Sequence, residues 1–108
     1  MKTLILGASA LFFLSGVIGA AQTAEPFLLK PLDHGGWAAI DNPAAKEQGS
    51  GSNAGFLIGT DSVLVIDTFE NPPAAQKLLT AIRQQTSLPV RFVVNTHYHL
   101  DHVAGNGI

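Results

Sequence analysis

Residues 62–102 read SVLVIDTFENPPAAQKLLTAIRQQTSLPVRFVVNTHYHLDH and contain two apolar runs with a helical pattern between them. The runs from Ser62 to Asp67 and from Val90 to Asn95 are rich in β-branched residues, which is typical of strands. The intervening stretch carries apolar residues at the spacing of one helix face, namely Ala75, Leu78, Leu79 and Ile82. Strand, helix and strand joined by short links predict a βαβ unit with parallel strands and a right-handed crossover.

The ends of the predicted helix are also marked in the sequence. Asn71 precedes Pro72 and Pro73, and Asn is a favourable cap while Pro is tolerated in the first turn. Pro89 disfavours helical backbone before it, so we expect the helix to end near Ser87. In a parallel sheet, ligands gather at the carboxyl ends of the strands. Asp67 and the residues after Asn95 are therefore expected to meet at one edge.

Three of the four histidines follow the second strand, together with a carboxylate. If the chain stays extended, His97, His99 and Asp101 point to one side because positions two apart share a face. His102 comes where the chain turns. Imidazole and carboxylate groups are ligands that a zinc-class ion accepts. The spacing predicts a metal site, and the alternative is a polar strand end with solvated histidines.

The motif from His97 to His102 resembles the H-x-H-x-D-H signature of the metallo-β-lactamase superfamily. Residues 62–68 are similar to the strand of that family that ends in an Asp, and the resemblance covers about residues 34–107. It implies an α/β fold, the αββα sandwich of the family. Residues 25–108 are expected to form only the N-terminal half of that sandwich.

The resemblance also implies roles for the motif residues. It implies two zinc ions, with His97 and His99 on one and Asp101 and His102 on the other. Asp101 is the catalytic residue in this scheme, since it would also orient the attacking hydroxide. Asp67 would support the metal loop through hydrogen bonds. The alternative for Asp67 is a carboxylate that only caps the turn.

The resemblance implies a zinc-dependent hydrolase in which a metal-activated hydroxide attacks the carbonyl of a small molecule. The sequence leaves lactam, lactone and thioester substrates open. The family takes further ligands from a later part of its fold. We therefore expect this chain to be the N-terminal fragment of a longer enzyme and to be inactive alone. The alternatives are a non-catalytic exported metal-binding protein and an inactive truncated remnant.

The first residues have the features of a secretory signal peptide. Lys2 provides a positive charge, and an apolar core extends from Leu4 to Ile18. Small residues then favour cleavage after Ala21, with Ala24 as a second position. We expect residues 1–21 to be removed and the product to be periplasmic or secreted, without membrane association. The alternative is an uncleaved membrane anchor.

Composition narrows the class of partner. The formal net charge is −2, so the sequence offers neither the excess of positive charge that binds nucleic acid nor a polybasic patch that binds a membrane surface. The sequence contains no cysteine, which excludes disulfides, thiolate zinc sites and cysteine nucleophiles. Composition thus argues against nucleic acid and membrane surfaces as partners and against cysteine as a metal ligand, while the small-molecule substrate is implied by the resemblance.

The remaining stretches predict a smaller set of features. Short strands are expected within Glu25–Leu32 and Gly36–Ile40, and a loop over Asp41–Asn53, either a plain connection or the flank of a substrate cleft. Residues 55–59 and 62–67 predict a hairpin. The second of these runs is apolar at every position from 63 to 66, which predicts a strand buried on both faces. His34 is expected to be solvated.

Overall fold

The computed structural model describes residues 23–108, and these contain one five-stranded sheet with strand order β1-β2-β3-β4-β5. The predicted signal peptide, residues 1–21, lies outside the described residues. None of the helices within residues 23–108 is long and apolar enough to cross a membrane. In chain order the elements are β1 (Phe27–Pro31), β2 (Gly36–Asp41), β3 (Ala54–Ile58), β4 (Val63–Ile66), α1 (Pro72–Gln85), β5 (Val90–Val94) and α2 (Leu100–Val103).

The predicted βαβ unit is present as β4, α1 and β5. The two strands are parallel, with Leu64 opposite Phe92 and Ile66 opposite Val94. The predicted hairpin is also confirmed, since β3 and β4 are antiparallel. The backbone N–H of Asp67 donates to the carbonyl of Val94 at 2.9 Å, so the two strand ends meet at one edge. The α/β fold class is therefore confirmed.

Helix α1 begins where the sequence predicts. The Asn71 side chain accepts a hydrogen bond from the Ala74 backbone N–H at 2.9 Å and donates one to the carbonyl of Gly49 at 3.0 Å. It therefore caps the helix and ties its start to the β2–β3 loop. The buried residues of α1 include most of the predicted apolar stripe, and they are Ala74, Ala75, Leu78 and Ile82.

The hydrophobic core lies between α1 and one face of the sheet. Phe56, Val63 and Val65 of the sheet pack in one cluster with Leu78 and Ile82 of the helix. Phe69, in the link between β4 and α1, is fully buried and stacks on Phe27, with ring centroids 5.2 Å apart. The link is thus fixed to the core immediately after Asp67.

The opposite face of the sheet is apolar and exposed, and the prediction that β4 is buried on both faces is wrong. Val63 and Val65 are buried, but Leu64 is only half-buried and Ile66 is 39% exposed. The reason is that α1 covers one face only, and no other described element packs on the second face. The exposed large apolar residues of this face are Leu28, Leu57, Ile66, Phe92 and Val94.

The loop between β2 and β3 contains a 3₁₀ turn at Pro43–Gln48. Its second half is held by one carboxylate, because Asp41 Oδ1 accepts from the backbone N–H of Ser50 at 3.0 Å, from the Ser50 hydroxyl at 2.8 Å and from the N–H of Gly51 at 3.1 Å. The prediction of a loop is therefore correct. The loop is anchored internally at Ser50, which is fully buried.

Candidate metal centre

The histidine motif follows β5 at the edge where the two parallel strands end. The chain leaves β5 at Val94, bends, and forms the single helical turn of α2. The bend brings the His97 ring close to that of His102 in α2, with centroids 4.0 Å apart. His97, Asp101 and His102 each offer a ligand atom, and the three atoms lie within 4.8 Å of one another. These three donors form the candidate metal centre.

The extended geometry expected for the motif is wrong. Asp101 lies in α2 and His99 precedes its first residue, so the alternation of faces along a strand does not apply to them. His97 and Asp101 do come together, but through a bend and a helical turn. His99 is exposed and lies outside the group of three, with its ring centroid 4.7 Å from that of His97.

Asp67 makes the contacts expected of a group that supports the metal loop. Its Oδ1 accepts from the Thr96 backbone N–H at 2.8 Å, and its Oδ2 accepts from the Thr96 hydroxyl at 2.8 Å. Oδ2 also lies 2.9 Å from Nδ1 of His102. Burial alone would raise the pKa of Asp67, but these hydrogen bonds and the attraction of His102 outweigh it and lower the pKa below its ordinary value.

The contact with Asp67 fixes how His102 faces the centre. When Asp67 accepts the proton on Nδ1, the other ring nitrogen, Nε2, presents a lone pair. Nε2 lies 3.3 Å from Oδ2 of Asp101. Two acceptors at this distance need a cation or a proton between them. The arrangement therefore fits a metal ion bound by Nε2 of His102 and the carboxylate of Asp101.

Thr96 orients the other histidine, and the sequence interpretation missed it. Its hydroxyl donates to Asp67, so it is free to accept from Nδ1 of His97, which lies 3.0 Å away. Nε2 of His97 is then the nitrogen left for a ligand. One feature of the sequence could have indicated this role of Thr96. It is a hydroxyl residue between β5 and the first histidine of the motif, at the sheet edge where Asp67 was expected.

Ser52 links the β2–β3 loop to the centre, and it was also missed. Its hydroxyl donates to the backbone carbonyl of Asp101. The loop was predicted as a possible flank of a substrate cleft, and its residue Ser52 contacts helix α2, which carries Asp101 and His102. No sequence spacing connects Ser52 with a residue 49 positions later, so only the fold reveals the contact.

A cavity of about 770 Å³ lies between this loop and the start of α1. Leu100 reaches its edge, but none of the three metal donors lines it among the described residues. The cavity therefore adjoins α2 at Leu100 and does not include the metal donors. His34 lies in the β1–β2 turn, where it is exposed as predicted and does not belong to the donor group.

The donor set fits zinc. Two imidazoles and a carboxylate are ligands that zinc takes, and three protein ligands leave a position for water. The partners of His97 and His102 fix the ring nitrogens that face the centre, as the outer hydrogen bonds of zinc histidines usually do. Such a centre can bring a water molecule and a polarised carbonyl together.

Comparisons with known proteins concern the family and the fold of the chain. The sequence model described as "Metallo-beta-lactamase superfamily" matches residues 48–108. One similar structure is the metallo-beta-lactamase FIM-1 from Pseudomonas aeruginosa in its mono-zinc form, with a TM-score of 0.64, 21% identity, and coverage of 80% of this chain and 38% of that chain. Another is TMB-1, with a TM-score of 0.60, 24% identity, and coverage of 75% and 39%. The chain thus spans under two fifths of either structure.

Proposed function

Because the chain belongs to the metallo-beta-lactamase superfamily, a family of metal-dependent hydrolases, we propose that the complete protein hydrolyses a carbonyl substrate with zinc. The substrate class is a lactam, a lactone or a thioester. The observation that carries the proposal is the convergence of His97, Asp101 and His102 within 4.8 Å, with Asp67 holding His102. Zinc is also the ion named for FIM-1.

The residues of this chain have separate roles in the proposal. His97 and His99, whose rings lie side by side, would bind one zinc ion, and His102 would bind the other through Nε2 together with Asp101. Zinc, when bound, lowers the pKa of a water molecule and polarises a carbonyl oxygen. Asp101 holds the metal and orients the attacking water through its carboxylate. Asp67 and Thr96 keep the two imidazoles turned toward the centre.

The ligand set is completed in this proposal by residues beyond the stretch described. Two zinc ions are proposed, as the motif resemblance implies, and residues 25–108 form the N-terminal part of the domain. Residues 1–21 are proposed as a signal peptide that directs the protein to the periplasm or the medium. N-terminal sequencing of exported material tests this, and a mature protein that begins at Met1 and sediments with membranes would contradict it.

The hydrolase proposal is tested on the complete protein by zinc content and by turnover of lactam, lactone and thioester substrates, with and without chelator. Asp101→Ala is expected to lower kcat by about 100-fold or more with little loss of folding, since one carboxylate serves both metal and water. His97→Ala is expected to lower zinc content and activity together. Tyr98→Ala is the matched control, because Tyr98 adjoins His97 and is 84% exposed.

Two results would contradict the proposal. One is full zinc loading with unchanged turnover in the double variant His97→Ala, Asp101→Ala. The other is a wild-type protein that binds zinc tightly but turns over none of the three substrate classes, which would favour the non-catalytic metal-binding alternative.

A further inference from the structure

The backbone carbonyl of His102 accepts hydrogen bonds from the residues that follow two different strands, β4 and β5. The Thr68 backbone N–H donates to it at 2.9 Å, and the Asn95 side-chain amide donates to it at 2.9 Å. The Thr68 hydroxyl lies 3.3 Å away as well. Helix α2 is four residues long, so this carbonyl lies where a helix leaves its carbonyls without partners. The ends of β4 and β5 supply those partners instead.

A third side chain holds the donors in place. Asn106, in the turn after α2, donates from Nδ2 to Oδ1 of Asn95 at 2.8 Å. Oδ1 of Asn106 accepts from the Thr68 hydroxyl at 2.9 Å and from the Asn95 amide at 3.2 Å. The Asn95 amide therefore has an acceptor for each of its two hydrogens. Thr68, Asn95 and Asn106, here termed the amide clamp, form a closed network around His102.

The amide clamp and Asp67 hold His102 from opposite ends. Asp67 binds the imidazole through Nδ1, while Thr68 and Asn95 bind the backbone carbonyl of the same residue. Asp67 and Thr68 are neighbours at the end of β4, and Asn95 and Thr96 are neighbours at the end of β5. Each strand end thus supplies one group to the imidazole side of the centre and one to the backbone of α2. This fixes both the position of the helical turn and the direction of the ring.

We propose that Thr68, Asn95 and Asn106 are positioning residues that set His102 and Asp101 at their metal-binding positions before the metal binds. The inference rests on the proposed function, since it concerns the same centre. Ligands that are already in place lose less freedom when an ion binds, so the amide clamp raises metal affinity without touching the metal. Asn95 acts through its hydrogen bond to the His102 carbonyl, and Asn106 acts through Asn95 and Thr68.

The test compares two exposed asparagines in the complete protein. Asn106→Ala removes a member of the amide clamp. Asn53→Ala, the matched control, removes an amide that accepts one hydrogen bond from the Asp41 backbone N–H, at 2.9 Å. Zinc Kd is measured by competition with a chromophoric chelator, and the metal-free proteins are compared by thermal unfolding. Asn106→Ala is expected to raise Kd by about tenfold to a hundredfold, with Asn53→Ala unchanged and both equally stable without metal.

A second pair of variants separates positioning from general stability. Thr68→Ser keeps the hydroxyl that binds Asn106, whereas Thr68→Val keeps the shape and loses it. Zinc affinity is expected to be retained in the first and lowered in the second. Equal Kd values for Asn106→Ala, Thr68→Val and the wild type would overturn the proposal. The proposal would also be overturned if each variant lost as much free energy of unfolding in the metal-free state as it lost in free energy of zinc binding.

These experiments also distinguish failure of the hydrolase proposal from failure of the amide-clamp proposal. If the wild-type protein binds no zinc, the hydrolase proposal fails. The amide clamp is then judged from the carbonyl ¹³C chemical shift of His102 in the metal-free protein. A shift that changes in Asn106→Ala but not in Asn53→Ala supports the positioning role, and an unchanged shift contradicts it.

Discussion

At the scale of single residues, the candidate centre depends on which ring nitrogen each histidine presents. Asp67 and Thr96 share one hydrogen-bond network, which engages Nδ1 of both His97 and His102 and leaves Nε2 of each ring for a ligand. The sequence indicated that Asp67 needs a partner, because an unpaired carboxylate at the end of an apolar strand is costly, and its support of the metal loop was implied by the family resemblance. It did not reveal Thr96, because the partner of a hydroxyl depends on the bend after β5.

Asp67→Asn tests this network through pH. Asn keeps the size of the side chain and tolerates the left-handed backbone found at Asp67, where φ is 59°. The metal-free variant is expected to be about 1–3 kcal/mol less stable than wild type near neutral pH. The reason is that a neutral amide replaces the buried, charged carboxylate that accepts these hydrogen bonds. Urea unfolding measures the free energy at several pH values.

The sign of the pH effect follows from the lowered pKa of Asp67. A carboxyl whose pKa is lower in the folded state stabilises the protein above its unfolded pKa of about 3.9, and this contribution is lost as pH falls through the folded pKa. The difference between wild type and Asp67→Asn should therefore shrink in acid. A difference that stays constant from neutral pH down to about pH 2 would contradict the assignment.

At the scale of elements, the βαβ unit was predictable and α2 was not. Strands β4 and β5 are apolar runs rich in β-branched residues, helix α1 shows a helical apolar period, and Asn71 marks the start of α1. Helix α2 is a single turn of four residues, which is too short to show a period. Its position is set by contacts with the ends of β4 and β5, and those depend on the tertiary fold. The extended reading of the motif failed for this reason.

Gly105 brings the turn after α2 against α1. A Cβ atom built at this position would lie 2.3 Å from Cβ of Ala75 and 2.4 Å from the carbonyl oxygen of Thr68. Gly105→Ala is therefore expected to displace the turn, to cost about 1–3 kcal/mol of stability and to weaken zinc binding. Gly107→Ala is the control, because nothing lies within 4 Å of a Cβ atom there. Thermal unfolding and the zinc Kd are measured for both variants. Equal unfolding temperatures and equal Kd values for Gly105→Ala and Gly107→Ala would contradict this prediction.

At the scale of the molecule, the described residues form a two-layer unit of one helix on one sheet face. The composition of β4 correctly indicated a strand that is apolar on both sides. It gave no indication of what covers the second side, because an apolar run indicates only that a strand tends to be buried and does not identify the element that buries it. The exposed face includes Phe92 at 57% and Val94 at 49% exposure. Such a face normally packs against another layer.

Residues 25–108 alone are therefore expected to be loosely packed. The apolar face of the sheet stays in water in this fragment, which favours dye binding and association. Near-UV circular dichroism is expected to be weak and fluorescence of a hydrophobic dye strong. Replacing Phe92 and Val94 by Thr should lower dye binding, whereas replacing the exposed helix residues Gln84 and Gln85 by Thr should not. A monomer with a sharp cooperative thermal transition would contradict this expectation.

We predict that His97 and His102 bind zinc in the complete protein, and X-ray absorption at the zinc edge measures their bonds to the ion. We predict imidazole nitrogens at about 2.0–2.1 Å from zinc. The nitrogen signal should fall in His97→Ala and in His102→Ala and stay unchanged in Tyr98→Ala. A zinc coordination shell that is the same in wild type and in the double variant His97→Ala, His102→Ala would contradict the account.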